Sequence, residues 1–289
     1  MDSNPLFKRG KNCKLSDEEF FKDRFKRLCD SDINSDCEFL VGCNKEIIKG
    51  HKLIFSTASP VFYAMFHGNL KENAVIVVSD LEPKGFEKMK KFIYTDDVNF
   101  ETYIQVIWTL VTAKKYIIPH LVKRCMDFLH NGTNTYCLQA LHYYEYLKDR
   151  NITEFNQICH KIIEEKTLRI LSGDSFSSVK PETVSWILSF ESLALDSELE
   201  LFNFFEKWAL AEAKRKKISP NELGSSFNDL KKHIRFLTMN AKEFALAAKS
   251  SLLTDEEKLA IALNMAEFGS TPLPDSLSPS RTKRNFNSK

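Results

Sequence analysis

The chain has little of what enzymes and secreted domains are usually built around. Its 289 residues hold nine glycines and nine prolines, too few for many phosphate-cradling loops. None of them falls into G-x-x-x-x-G-K-[ST], G-x-G-x-x-G or G-x-S-x-G, and H-E-x-x-H is also missing. Seven cysteines occur without a C-x-x-C pair. Most sit at apolar-periodic positions such as Cys125 and Cys159, so they read as reduced thiols, which points to the cytoplasm or the nucleus. No run of about 18 apolar residues, the length that crosses a bilayer, occurs. The opening stretch "MDSNPLFKRGKNCKLS" has no apolar core of signal-peptide type. No membrane contact is expected, and the glycosylation patterns at Asn131 and Asn151 are then chance matches. A dominant charge is missing too. The formal net charge is +2, too mild for an electrostatic hold on nucleic acid. The basic run Lys214 to Lys217 reads as a solvated helix end, and the run at Arg281, Lys283 and Arg284 as part of a loose tail.

What is present suits packed cores: 43% hydrophobic and 12% aromatic residues, on a chain long enough for one large domain or two of ordinary size. Ser16 and Glu19 form a capping box, followed by Phe21, Phe25 and Leu28 at i, i+4 and i+7, an amphipathic helix. "CEFLV" and "KEIIK" around Gly42-Cys43-Asn44 read as a hairpin, and "AVIVVS" as a buried strand. Helical periods follow at Phe86, Met89 and Ile93, at Ile104, Ile107 and Val111, and at Leu121, Cys125 and Leu129. Beyond the turn at Asn131-Gly132-Thr133 no strand is legible. Helix starts are marked there by Pro181, by Asp196, by Asn240 with Glu243 and by Thr254 with Glu257. The stretch from Gly269, rich in Pro, Ser and basic residues, reads as disordered. The expected division is a disordered 1–15, an α+β domain at 16–131, an all-α domain at 132–268 and a disordered tail at 269–289.

One stretch is too apolar for its length. In "GHKLIFSTASPVFYAMFHGNLKE", Ser59 and Pro60 start a helix and Gly68 ends it. Val61, Phe62, Tyr63, Met65 and Phe66 then spread over roughly 200° of its circumference, more than one core covers. A second partner for this helix is expected.

Candidate chemistry reads mostly as packing. Cys159 and His160 are neighbours on a helix and point about 100° apart, so they cannot share a metal. His142 reads as a helix-surface histidine, and Asp96-Asp97 as a turn before a short strand. No catalytic residue, metal site or cofactor is expected.

The order of elements, with "SDCEFLVG", "VVSDLEPKGFEKMKKFIYTDDVNF" and "TLVTAKKYIIPHLVKRCMDFL", resembles a BTB/POZ domain. "LALDSELELFNFFEKWALAEAKRKK" and "IRFLTMNAKEFALAAKSSLLTDEEKLAI" are similar to the BACK domain that follows it in many ubiquitin-ligase adaptors, most of all in the subgroup that usually ends in a PHR β-sandwich. The twenty residues after Gly269 are too few for such a sandwich. The resemblance implies a non-catalytic adaptor that dimerises through the BTB domain, as a homodimer or with related BTB proteins, binds cullin-3 and presents a substrate protein not identifiable from sequence. It assigns cullin binding to Phe66, Leu70, Glu72, Asp80 and Tyr116, with Leu70 and Glu72 in the triplet "LKE". It assigns the dimer surface to Phe21, Phe25 and Leu28 and to a charged pocket of Asp36 and Lys52. Cys37 stands where the family usually has a β-branched residue. Two other readings of such a chain are a nuclear scaffold for co-repressors, and a regulator that competes with full-length relatives.

Overall fold

A computed structural model describes residues 17–68 and 75–287, with side chains from Lys22 onward. The chain divides into two compact units, Met1–Gly132 with Arg150–Ile152, and Thr133–Asp149 with Thr153–Lys289.

In the first unit, α1 (Asp17–Asp30) precedes a hairpin of β1 (Cys37–Val41) and β2 (Glu46–Gly50), paired antiparallel with Phe39 opposite Ile48. The tight turn needs positive φ at Gly42 and Lys45, and glycine supplies the first of these without steric cost. β3 (Val75–Val78) runs parallel to β1, giving the order β2-β1-β3. One face of the sheet is buried, through Phe39, Val41, Ile48, Ile76 and Val78. The other is not: Val77 is 61% and Ile47 59% exposed. The apolar run at 74–79 is therefore not a buried strand. It alternates as an edge strand with one wet face, a distinction that four consecutive apolar residues conceal.

Helices α2 (Lys52–Ala58), α3 (Pro60–His67), α4 (Pro83–Thr95), α5 (Tyr103–Lys115) and α6 (Pro119–Asn131) complete this unit. Phe39 is its hub, with the rings of Phe55, Phe62, Phe66 and Phe86 at 4.8 to 6.3 Å. α4 crosses α5 closely at Gly85, where a Cβ would come within 2.7 Å of the Trp108 carbonyl. Asp96 ends α4 in the left-handed region, so Asp96-Asp97 is a turn, and no strand follows it directly.

The second unit holds α7 (Thr133–Tyr136), α8 (Ala140–Lys148), α9 (Asn156–Ser172), α10 (Pro181–Leu188), α11 (Glu198–Lys216), α12 (Leu223–Ser226), α13 (Asn228–Lys231), α14 (Ala241–Ala247) and α15 (Asp255–Ala266). Pro181 opens α10, and Asn240 with Glu243 and Thr254 with Glu257 form complete capping boxes. The cap of α11 is Ser197 and not Asp196. Trp208 is fully buried and donates its indole N–H to the Val179 carbonyl at 3.0 Å.

Two sequence expectations fail here. The second unit does contain strand pairing, between β4 (Ser192–Leu193) and β5 (Asn285–Phe286). Residues 269–287 are also not a loose tail, because Ser276, Leu277 and Arg284 are buried. The physical reason is the same for both. Ser276 donates to the Glu257 carboxylate and Arg284 to that of Glu198, so two buried acids draw in a segment whose composition promises nothing.

Candidate functional site

The end of α5 gathers three elements of the first unit. The Ser59 side chain accepts hydrogen bonds from the N–H groups of Val61 and Phe62, capping α3, and its hydroxyl donates to the Tyr116 carbonyl at 2.5 Å. The Lys115 ammonium reaches both carboxylate oxygens of Asp80, just beyond β3, at 2.6 and 2.8 Å. Burial alone would push the Asp80 carboxyl up; the bond and charge of Lys115 outweigh it and hold the group below the usual range.

After Tyr116 the chain turns in a Schellman motif, with the N–H of Ile118 on the Ala113 carbonyl and that of Ile117 on Lys114. Ile117 takes the left-handed position, at φ 54°, and is 56% exposed. Glycine is usual there, and a β-branched residue is strained by about 1–2 kcal/mol. The side chain held in this conformation is exposed to solvent. On α3 itself Tyr63 is 59% exposed, and Ala64 and His67 are exposed with it. The Ser59 cap of α3 and the Asp80–Lys115 pair thus both meet the end of α5.

The sequence assignments fall unevenly on this geometry. Asp80 is exposed and lies here. Tyr116 does not lie on the surface. It is fully buried, stacked on Phe62 at 4.1 Å, and Phe66 is 6% exposed in the same core. An aromatic that closes a helix end is drawn under the α3 helix by Ser59 and Phe62, so both residues support the face from beneath. Leu70 and Glu72 lie outside the described residues. Sequence reasoning included Tyr63 in the apolar spread of α3 without singling it out, and missed Ile117. For Ile117 the signal is a β-branched residue just past a helix end marked by Lys114 and Lys115. For Tyr63 it is the one large polar-tipped ring on an otherwise apolar helix.

The dimer assignments divide as well. α1 packs along α4, where Cys29 is buried, while Phe25 and Leu28 are half-buried. The side chain of Phe21 lies outside the described ones. Asp36 is exposed, and its carboxylate accepts the Lys52 backbone N–H at 2.7 Å, which caps α2 from a distance because His51 at the N-cap does not. The Lys52 ammonium sits 5.7 Å above the Phe66 ring.

His51 locks the hairpin to α4. Its Nε2 meets the Ile33 carbonyl at 2.9 Å and its Nδ1 the Tyr94 hydroxyl at 2.8 Å. A carbonyl only accepts, so Nε2 carries the proton in the neutral ring and the Tyr94 hydroxyl donates to Nδ1. Burial raises the Tyr94 hydroxyl, in keeping with a donor that stays protonated. Burial likewise pushes the Cys37 and Cys125 thiols up to about 12, away from a reactive thiolate. Among the described residues no group of three or more His, Cys, Asp or Glu side chains could hold a metal ion. No helix among them is long and apolar enough to cross a membrane.

The family model described as BTB/POZ domain matches residues 25–133, and the one described as BTB And C-terminal Kelch, the BACK domain, matches residues 137–245. The human BTB/POZ domain-containing protein 6 is 31% identical over 251 residues, covering 84% of this chain and 45% of that protein. The human BTB/POZ domain-containing protein 3 is 30% identical, covering 82% and 46%, and protein 6-B of Danio rerio is 30% identical, covering 82% and 49%. The chain thus spans about half the length of these relatives. The first match covers the three-stranded sheet and its helices and the second the helices from α8 to α13, and the chain belongs to the BTB–BACK family.

Proposed function

We propose that this chain is a dimeric, non-catalytic adaptor that binds cullin-3 and links it to a substrate protein. The observation that carries the reading is the strained, exposed Ile117 at the end of α5, with Tyr63 exposed on α3, the helix that Ser59 ties to that end. A fold that holds an isoleucine in a glycine conformation in order to expose it uses that side chain outside its own core. The resemblance supports this reading, since it assigns Asp80 and Tyr116, at the two sides of this helix end, to the cullin-binding face. Tyr63 and Ile117 are the apolar anchors, and the Asp80–Lys115 pair borders them and governs approach and register more than affinity. The resemblance adds Leu70 and Glu72 of the "LKE" triplet to the proposed binding residues. Phe66 and Tyr116 set the position of α3 without touching the partner. Dimerisation uses α1 through Phe21, Phe25 and Leu28, together with the charged pocket of Asp36 and Lys52.

The test is a capture from cell extract with the full chain, scored for cullin-3 and for co-repressor proteins side by side. Cullin-3 retained by wild type and lost on Tyr63→Asp with Ile117→Asp supports the adaptor. Co-repressors without cullin-3 would replace this reading with a nuclear scaffold.

A further inference from the structure

In the second unit a single guanidinium satisfies acceptors from three places in the chain. Arg284 Nε lies 3.1 and 3.4 Å from the two oxygens of Glu198, at the start of α11. One Nη donates to the Phe190 carbonyl ahead of β4, and the other to the His233 carbonyl at 2.6 Å. Every partner is an acceptor, so the pocket suits a planar cation with several donors and suits an ammonium poorly. Glu198 takes one more bond, the Arg235 backbone N–H at 2.8 Å, and is itself 4% exposed.

Beside the pocket runs the edge of β4. The N–H of Asn285 donates to the Glu191 carbonyl at 2.9 Å and that of Asn287 to Leu193 at 3.1 Å, so residues 285–287 add a strand in the manner of a bound peptide. Between the Ser276 and Arg284 anchors the segment is mostly exposed, at Pro279, Arg281 and Lys283, with the Thr282 carbonyl held by Arg235 at 2.9 Å. Its attachment is chiefly polar, and polar pairs of this kind specify which strand binds and in which register. An empty slot would leave the Glu198 carboxylate buried without its cation, which strongly favours a filled one.

We propose that the β4 edge, with Glu198 and the carbonyls of Phe190 and His233, is a docking slot for an extended strand that carries arginine. Residues 284–287 fill it in cis, and the same segment supplied in trans enters when they are displaced. The slot belongs to the second unit and stands independently of cullin binding.

The test uses the full chain and a fluorescein-labelled peptide with the sequence of residues 279–287. Arg284→Ala is expected to bind the peptide at least tenfold more tightly than wild type, whose slot is occupied. A peptide with lysine in place of its second arginine, the equivalent of Arg284, is expected to bind Arg284→Ala at least tenfold less tightly. Hydrogen exchange at Asn285 and Asn287 should be slow in wild type, fast in Arg284→Ala, and in the variant the β4 amides should slow again on adding peptide. Equal binding by wild type and variant, or equal binding of the lysine peptide, would overturn the proposal. Should Arg284→Ala fail to fold, Arg284→Lys keeps the charge, loses the fork and carries the same comparison.

Discussion

The ring of Tyr116 lies flat on that of Phe62, with centroids 4.1 Å apart and planes within 10° of parallel. The stack joins the end of α5 to α3, and the Ser59 hydroxyl repeats the join at the Tyr116 carbonyl. Tyr116→Ala is expected to cost about 3–5 kcal/mol in urea unfolding, the range for emptying a buried aromatic site. Any loss of partner binding in that variant follows from a displaced α3, and Tyr116→Phe is expected to bind as wild type does.

Ile117→Gly separates stability from binding. Removing the branched side chain from φ 54° relieves the strain, and glycine's added freedom in the unfolded chain offsets part of the gain. A net gain of about 1 kcal/mol is expected in urea unfolding. Partner affinity should fall at the same time. A variant both less stable and unchanged in binding would make Ile117 an ordinary loop residue.

Gly85→Ala tests the close crossing of α4 and α5. The new methyl would meet the Trp108 carbonyl at 2.7 Å, and both contacting groups are backbone or carry the helix with them. Destabilisation of about 1–3 kcal/mol is expected, the usual range for overpacking, read from the shift in the unfolding midpoint.

Much of the fold is legible in local signals. The capping boxes at Asn240 and Thr254, the Ser59-Pro60 start and the hairpin turn each declare themselves within four residues, because a cap or turn is a short-range bond. What stays hidden depends on distance along the chain. Glu198 and Arg284 are 86 residues apart, and a buried arginine in a Pro- and Ser-rich stretch looks like tail until its acid is known. Ser59 reads as a cap, but its bond to Tyr116 spans 57 residues. The same holds for Tyr116, whose apparent place on the surface is reversed by one ring stack. The resemblance assigned Tyr116 to a binding face, and the structure buries its ring against Phe62.

The second unit should be acid-sensitive through Glu257. Its carboxylate accepts from Lys231 at 2.7 Å and from the Ser276 hydroxyl. Burial alone raises this carboxyl, and the bonds from Lys231, Ser276 and Thr254 together outweigh it and hold it below the usual range. A depressed carboxyl binds fewer protons in the folded state. Its stabilisation is therefore complete above the unfolded value of about 4.3 and is lost as pH falls through the folded one. Hydrogen exchange in α15 should accelerate below about pH 4 in wild type, and Glu257→Gln should flatten that dependence while weakening the unit at neutral pH.

Dimerisation through α1 predicts that Phe25→Asp with Leu28→Asp yields a monomer by light scattering, with the far-ultraviolet circular dichroism of wild type. Asp36→Ala loses the distant cap on α2 and should cost about 0.5–2 kcal/mol. A weaker dimer in Asp36→Asn, measured by dilution, would place the same carboxylate in the interface as well.

Titration calorimetry of the full chain against the N-terminal domain of cullin-3 tests the adaptor reading most directly. Wild type, Tyr63→Ala, Ile117→Gly and Leu70→Ala are compared at equal dimer content. Wild type is expected to bind, and each of the three variants to lose about 2 kcal/mol or more, as central apolar anchors do. Wild type that gives no heat of binding, or three variants that bind as tightly as wild type, would contradict it.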